Sequence, residues 1–183
     1  TVPAGQYACV TARDPKHTLR SVSTLQVSGG KYLARFTGDP RLGGNWLVGG
    51  NLDGNNVIDS LDQALLNARL LTTVSPHTPC GTAGIHADIN GDGVVNSNDL
   101  NFIQRNFLAT DKGACCATTS GGAATSEPSV ISVEELDALG LSDLRGADAD
   151  HDGFLNAEEI MAYLHGEWPA EDPPPAAPEN QLP

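Results

Sequence analysis

Residues 88–99 read DINGDGVVNSND, with an acid or an amide at nearly every second position and Gly93 in the middle. Calcium takes six to eight oxygen ligands. A twelve-residue loop can supply them from positions 1, 3, 5, 7, 9 and 12, with a sharp turn at position 6 and a backbone carbonyl at position 7. All six ligand positions carry suitable groups: Asp88, Asn90, Asp92, the carbonyl of Val94, Asn96 and Asp99. The stretch therefore predicts a calcium loop.

Two further stretches fit the same template. In DADHDGFLNAEE (148–159), Gly153 is at the turn and the ligand positions hold Asp148, Asp150, Asp152, the carbonyl of Phe154, Asn156 and Glu159. In NLDGNNVIDSLD (51–62), they hold Asn51, Asp53, Asn55, the carbonyl of Val57, Asp59 and Asp62. Asn56 replaces glycine at the turn of this loop, and asparagine tolerates a left-handed backbone. Three loops predict about three bound Ca²⁺ ions; Mg²⁺ fits less well because it demands stricter octahedral geometry.

A fourth stretch, ATSEPSVISVEE (124–135), keeps the framework of such a loop without its ligands. Positions 1 and 5 hold Ala124 and Pro128, whereas Ile131 and Glu135 keep the pattern at positions 8 and 12. We interpret it as a vestigial hand that pairs with residues 148–159.

Each of the four loops continues into the same local pattern. Residues 57–65, 94–102, 130–138 and 154–162 each predict a short strand followed by a helix. Apolar stripes at helical spacing indicate a buried face: Leu61, Ala64, Leu65, Ala68 and Leu71; Leu100, Ile103 and Phe107; Ile160 and Leu164. In the paired loops, we expect antiparallel contacts of Ile131 with Leu155 and of Ile58 with Val95.

The sequence predicts an α+β protein with five segments. Residues 1–48 read as a β-rich unit of three or four strands, Ig-like or a partial sandwich, with a hairpin turn at Ser28-Gly29-Gly30. Residues 49–109 hold two calcium loops with a cysteine-bearing insertion, and residues 130–167 an EF-hand-like pair with one vestigial loop. A Gly/Ser/Thr linker (110–129) joins them, and a Pro-rich tail (168–183) follows.

Charge and cysteine content restrict the possible partners and the compartment. The formal net charge is −13, from 23 acidic and 10 basic residues, which argues against nucleic acid or an anionic membrane as partner. Four cysteines allow two disulfides in three connectivities. We favour bonds from Cys115 and Cys116 to Cys80 and Cys9 over a strained bond between neighbours. Disulfides and calcium loops together indicate an extracellular or cell-surface protein.

The pair NLDGNNVIDSLDQALLNARL and DINGDGVVNSNDLNFIQRNF resembles the tandem repeats of type I dockerins, as found in large bacterial surface and secreted proteins. The resemblance covers about residues 51–107 and implies duplicated calcium loop–helix units. It also implies a cohesin-like partner, recognised through positions 10 and 11 of each repeat. These positions are Ser60-Leu61 and Ser97-Asn98. Residues 148–159 are similar to an ordinary EF-hand loop.

Three functions fit these features, and catalysis is not among them because no GxSxG, HExxH or P-loop motif is present. The first is a protomer of a self-assembling extracellular fibre or scaffold, in which copies of the chain bind one another head to tail. The second is a dockerin-type adaptor for a cohesin-like protein. The third is a soluble calcium-binding protein. A calcium sensor with a Met-rich groove fits less well, because Met161 is the only methionine.

Overall fold

The computed structural model describes residues 5, 7–14, 17–74, 84–111 and 129–166. Its N-terminal part contains four short strands: β1 Cys9–Ala12, β2 Ser21–Thr24, β3 Gln26–Ser28 and β4 Lys31–Leu33. They form two separate antiparallel pairs, β1 with β2 and β3 with β4. Gly29 and Gly30 connect β3 to β4 with φ angles of 57° and 73°, the conformation for which glycine is favoured in two-residue hairpin turns.

The N-terminal part has almost no core of its own and is hydrogen-bonded to the residues that follow it. Among the described residues before Gly49, Leu19 is the only fully buried apolar side chain, at 2% exposure. Its N–H donates to the carbonyl of Val48 at 2.9 Å, and the N–H of Gly50 donates to the carbonyl of His17 at 2.7 Å. The predicted α+β class is confirmed, but a sandwich is not, because two-stranded sheets with one core residue do not form facing layers.

Two helices follow the first two calcium loops: α1 Ser60–Asn67 and α2 Ser97–Arg105. They pack against each other through the predicted stripes, of which Leu61, Ala64, Leu65 and Ile103 are fully buried. Both helices end earlier than the stripes predict. Leu71 has left the helix with a φ of 65° and is 79% exposed, and Phe107 is 47% exposed.

The predicted pairing of Ile58 with Val95 is wrong. The N–H of Ile58 donates to the carbonyl of Ala109 at 3.0 Å, and its carbonyl accepts from Leu108 at 2.7 Å. Val95 bonds in the same way to the segment after α1, its N–H donating to Thr72 at 3.0 Å. The segment after α2 therefore binds the first loop, and the segment after α1 binds the second. These segments satisfy the backbone groups that the two loops were expected to share.

The C-terminal part contains β5 Val130–Ser132, a 3₁₀ helix Ser142–Ala147, β6 Phe154–Asn156 and α3 Ala157–His165. β5 and β6 are antiparallel with Ile131 opposite Leu155, which confirms that prediction. The helix expected after β5 does not form; residues 133–140 make turns and Gly140 has a φ of 69°. One hydrogen bond of helical spacing forms there, from the N–H of Leu139 to the carbonyl of Glu135 at 3.1 Å, and the left-handed Gly140 ends the segment.

One apolar core joins the repeats to the C-terminal part. α1 packs against α3 as well as against α2. The large side chains with less than 2% exposure come from both regions: Ile58, Leu61, Leu65, Leu66, Val95, Ile103, Leu136, Leu141, Leu144, Leu155 and Ile160. Leu66 lies outside the stripe predicted for α1, so a second face of this helix is buried.

Candidate metal centres

The three loops share the backbone that a calcium loop requires at position 6. Asn56, Gly93 and Gly153 have φ angles of 77°, 92° and 87°. A left-handed residue costs glycine little and most other residues about 1 kcal/mol. Asn56 therefore adopts the predicted conformation, but at a cost that the other two loops avoid.

Positions 9 and 12 of each loop also start the following helix. Asp59, Asn96 and Asn156 are the N-caps of α1, α2 and α3, and each forms a capping box with the acid three residues later. In the second loop, Asp99 Oδ2 accepts from the N–H of Asn96 at 2.9 Å, and Oδ1 from the N–H of Ile89 at 2.8 Å. The acid at position 12 thereby ties the start of the loop to its end, and the cap explains why a helix begins there.

The vestigial stretch keeps the contact between positions 9 and 12. Glu135 Oε2 accepts from the N–H of Ser132 at 3.2 Å and from its hydroxyl at 2.9 Å. Ser132 and Glu135 are positions 9 and 12 of residues 124–135, whose first part lies outside the described residues. The contact supports interpreting this stretch as a hand that has lost its metal ligands.

Side chains at position 5 accept a hydrogen bond from the backbone N–H at position 7. The N–H of Val57 donates to Asn55 Oδ1 at 2.8 Å, that of Val94 to Asp92 Oδ1 at 3.0 Å, and that of Phe154 to Asp152 Oδ1 at 2.7 Å. The same contact between positions 5 and 7 thus recurs in all three loops.

The first loop contains an arrangement of oxygen atoms that a cation could satisfy. Asn51 is fully buried, and its side-chain oxygen faces Asp53 Oδ1 at 3.2 Å and the carbonyl oxygen of Val57 at 3.1 Å, with no donor nearby. Three converging oxygens repel one another unless the amide turns over to donate its N–H groups or a cation lies among them. These are ligand positions 1, 3 and 7, so calcium satisfies the arrangement without turning the amide.

The third loop gives a second sign. Carboxylate oxygens of Asp148, Asp150 and Asp152 lie within 4.8 Å of one another. Asp148 Oδ1 is buried and has no hydrogen-bond partner, which is costly for an isolated carboxylate oxygen. A bound divalent cation would neutralise these carboxylates and hold the loop in place. His151, at position 4, is exposed.

Burial changes the acidity of the first loop. Burial and the neighbouring Asp53 carboxylate raise the pKa of Asp62 to about 8. Burial, with the charge of Asp59 adding to it, raises the pKa of Asp53 to about 6. Ionised carboxylates in this site are therefore unfavourable without a compensating cation.

Two residues outside the loops hold the first loop, and sequence patterns did not reveal them. Arg13 donates from Nη1 to Asn56 Oδ1 and from Nη2 to the carbonyl of Gly54, both at 3.1 Å. Ser129 donates its hydroxyl to Asp59 Oδ2 and accepts from Asn55 Nδ2 at 3.1 Å. Contacts between residues about 40 and 70 positions apart leave no periodic signal in the chain.

The two recognition positions predicted from the resemblance differ in exposure. Ser97 and Asn98 are both exposed at the start of α2. Ser60 is exposed, but Leu61 is fully buried. Every residue of α1 after Ser60 is buried or half-buried, because α2 covers one side and α3 the other.

Residues 50–108 match the family model of the dockerin type I domain, which confirms the resemblance seen in the sequence. Comparison of the chain with curated proteins and with solved structures gives no match. Dockerin type I domains bind calcium and are non-catalytic modules for calcium-dependent protein–protein interaction, typically with cohesins. They occur in secreted or cell-surface proteins. Within the described residues, no helix is long and apolar enough to cross a membrane.

Proposed function

We propose that this chain is an extracellular, calcium-stabilised adaptor that binds a cohesin-like protein through the exposed face of α2. The observation that carries this proposal is the contrast between the two repeats. Position 11 of the first repeat, Leu61, belongs to the core, whereas Ser97 and Asn98 of the second repeat are open to a partner.

The exposed face of α2 continues into the N-terminal part. Phe102 and Arg105 line a groove of about 350 Å³ together with Trp46, Leu47 and Arg41. Phe102 is 37% and Trp46 40% exposed. Partly exposed aromatic and arginine side chains are the residue types enriched at the centre of protein interfaces. The N-terminal part would therefore extend the recognition surface beyond the repeat itself.

Calcium is required for this function because it fixes the loops that start both helices. We propose one ion in each of the loops 51–62, 88–99 and 148–159, bound by the positions predicted from sequence. Cys9 is disulfide-bonded. Cys80, Cys115 and Cys116 lie outside the described residues, so the predicted pairing remains a proposal, as does the extracellular location.

The test is binding of the full chain to a set of purified cohesin modules, measured by calorimetry. We expect binding in calcium that chelation abolishes. Ser97→Asp should weaken it at least tenfold, because a carboxylate would be desolvated at the interface. Ser60→Asp is the matched control, since it puts the same charge at the equivalent position of the first repeat and should leave affinity unchanged. Equal effects of the two substitutions, or no binding by any cohesin, would reject this function.

Self-assembly is the second candidate, and the β3–β4 hairpin favours it. All six residues of its two strands are exposed, with Val27 70% and Tyr32 48% exposed. A two-stranded sheet has unpaired N–H and C=O groups along its edges, and another chain can add a strand there. A head-to-tail contact of this kind that does not close would produce filaments.

Light scattering and electron microscopy at rising protein concentration, with and without chelator, test this candidate. We expect filaments in calcium that Val27→Lys prevents, because lysine on an open edge opposes strand addition. The control Leu42→Lys changes a residue that is 88% exposed outside the strands and should not affect assembly. A chain that stays monomeric at high concentration excludes the fibre.

A further inference from the structure

The first calcium loop, unlike the other two, is held by side chains from both flanking parts of the chain. Among the described hydrogen bonds, the side chains at positions 1, 3, 5, 9 and 12 of residues 88–99 and 148–159 bond only within their own loops. In residues 51–62, by contrast, Asn55 and Asp59 bond to Ser129, directly before β5. The turn of the same loop bonds to Arg13, directly after β1.

We propose that Arg13 and Ser129 are positioning residues for calcium at the first loop. Through them, this site connects the N-terminal strands and the C-terminal hand to the repeats. Ser129 bridges ligand positions 5 and 9. Its hydroxyl donates to one oxygen of Asp59 while the other oxygen accepts the N-cap bond from Leu61 at 2.8 Å. The Asp59 carboxylate therefore has one fixed orientation.

Arg13 acts on the turn and compensates for the missing glycine. Asn56 has a φ of 77°, and its side-chain oxygen and the neighbouring carbonyl of Gly54 both accept from the Arg13 guanidinium at 3.1 Å. The N–H of Asp111 also donates to the carbonyl of Asn56 at 3.0 Å. A strained turn that its surroundings hold in the binding conformation loses less entropy when calcium binds.

Linkage makes the effect reciprocal. If the contacts of Ser129 and Arg13 favour calcium at this loop, calcium must strengthen those contacts by the same factor. The junctions with the N-terminal strands and with β5 would then tighten when the first loop fills. This coupling rests on calcium binding at the first loop, as proposed above, and needs no external partner.

A calcium titration of the full-length protein followed by NMR tests the proposal. The amides of Asn56, Gly93 and Gly153 report the three loops separately, since each is at position 6. We expect Ser129→Ala to lower calcium affinity at Asn56 about three- to tenfold, as for loss of one partly exposed charge-assisted hydrogen bond. The midpoints at the other two loops should not change, and Ser129→Thr, which keeps the hydroxyl, should restore the wild-type value.

Arg13→Ala should give the same selective loss, and Arg35→Ala is its control. Arg35 is an exposed arginine of the N-terminal part whose side chain has no recorded hydrogen bond to a calcium loop within the described residues. Calcium should also slow amide hydrogen exchange at Val130 in the wild type more than in Ser129→Ala. An unchanged midpoint at Asn56 in both variants, or an equal loss at all three loops, overturns the proposal.

Discussion

Calcium binding at the first loop should weaken steeply on acidification. The carboxyls of Asp62 and Asp53 have pKa values raised to about 8 and about 6, chiefly by burial. Calcium binds the ionised carboxylates, so the ion must displace protons that the metal-free site holds near neutral pH. A change of pH alone, without any substitution, should therefore alter the calcium affinity of this loop.

The size of the effect follows from the pKa of Asp62. Around pH 8 this carboxyl is about half protonated, and around pH 6 it is almost fully protonated. Competition by one proton over that interval lowers the apparent affinity roughly ten- to hundredfold, at about 1.4 kcal/mol for each factor of ten. At about pH 7, close to one proton should be released for each ion bound at this loop.

The stability of the metal-free protein should have the opposite dependence on pH. The folded-state pKa of Asp62 lies above the unfolded value of 3.8, so the folded chain holds the proton more tightly between these two values. This group therefore contributes stability that increases as the pH falls from about 8 towards 4, and that is lost as the pH rises through the same window.

Titrations at pH 6, 7 and 8, with the Asn56 amide as reporter, measure the affinity of the first loop. The Gly153 amide gives an internal comparison, because Asp150 and Asp152 of that loop are exposed. Calorimetry in two buffers of different ionisation enthalpy counts the protons released. If affinity at Asn56 differs by less than threefold between pH 6 and pH 8, burial does not set the acidity of this site.

Removal of calcium should lower the melting temperature by more than about 10 °C, because loss of bound metal removes several kcal/mol of stability. Calorimetry with and without chelator measures this shift, and an unchanged melting temperature after verified metal removal would contradict the prediction. Leu66→Ala should destabilise by about 2–5 kcal/mol, because this side chain is fully buried; urea unfolding should show almost no effect for the control Leu71→Ala, whose side chain is 79% exposed. Non-reducing peptide mapping should find two disulfides, each worth roughly 2–4 kcal/mol, with Cys9 and Cys80 in different bonds; four alkylatable thiols in the native protein would refute this.

Much of the site was predictable because calcium loops are local. Candidate ligands, their spacing and the turn residue all lie within twelve residues, so the sequence alone located the three left-handed turns and the helix that starts at each loop. The capping boxes follow from the same residues, as does the left-handed Asn56. Position 8 of the loops correctly predicted the pairing of Ile131 with Leu155, but the same rule failed for Ile58 and Val95.

Long-range partners were not predictable. Ile58 and Val95 were each expected to face the other, but each found its hydrogen bonds in the segment after the opposite helix. The helix expected after β5 was replaced by turns, and the left-handed Gly140 ends that segment. Periodicity describes which face of an element is apolar, but not which neighbour covers it.

The sequence by itself determined the local features: oxygen-bearing side chains at the spacing of a calcium loop, helices capped by those side chains, and the dockerin type I match of residues 50–108. The tertiary structure alone decided how the two repeats differ. It placed α1 between α2 and α3, so that Leu66 is buried along with the predicted stripe that contains Leu61. It left Ser97 and Asn98 at the start of α2 exposed. It also brought Arg13 and Ser129 to the first loop. The physical reason is that ligand geometry is set by neighbours in the chain, whereas exposure and support depend on packing between distant segments.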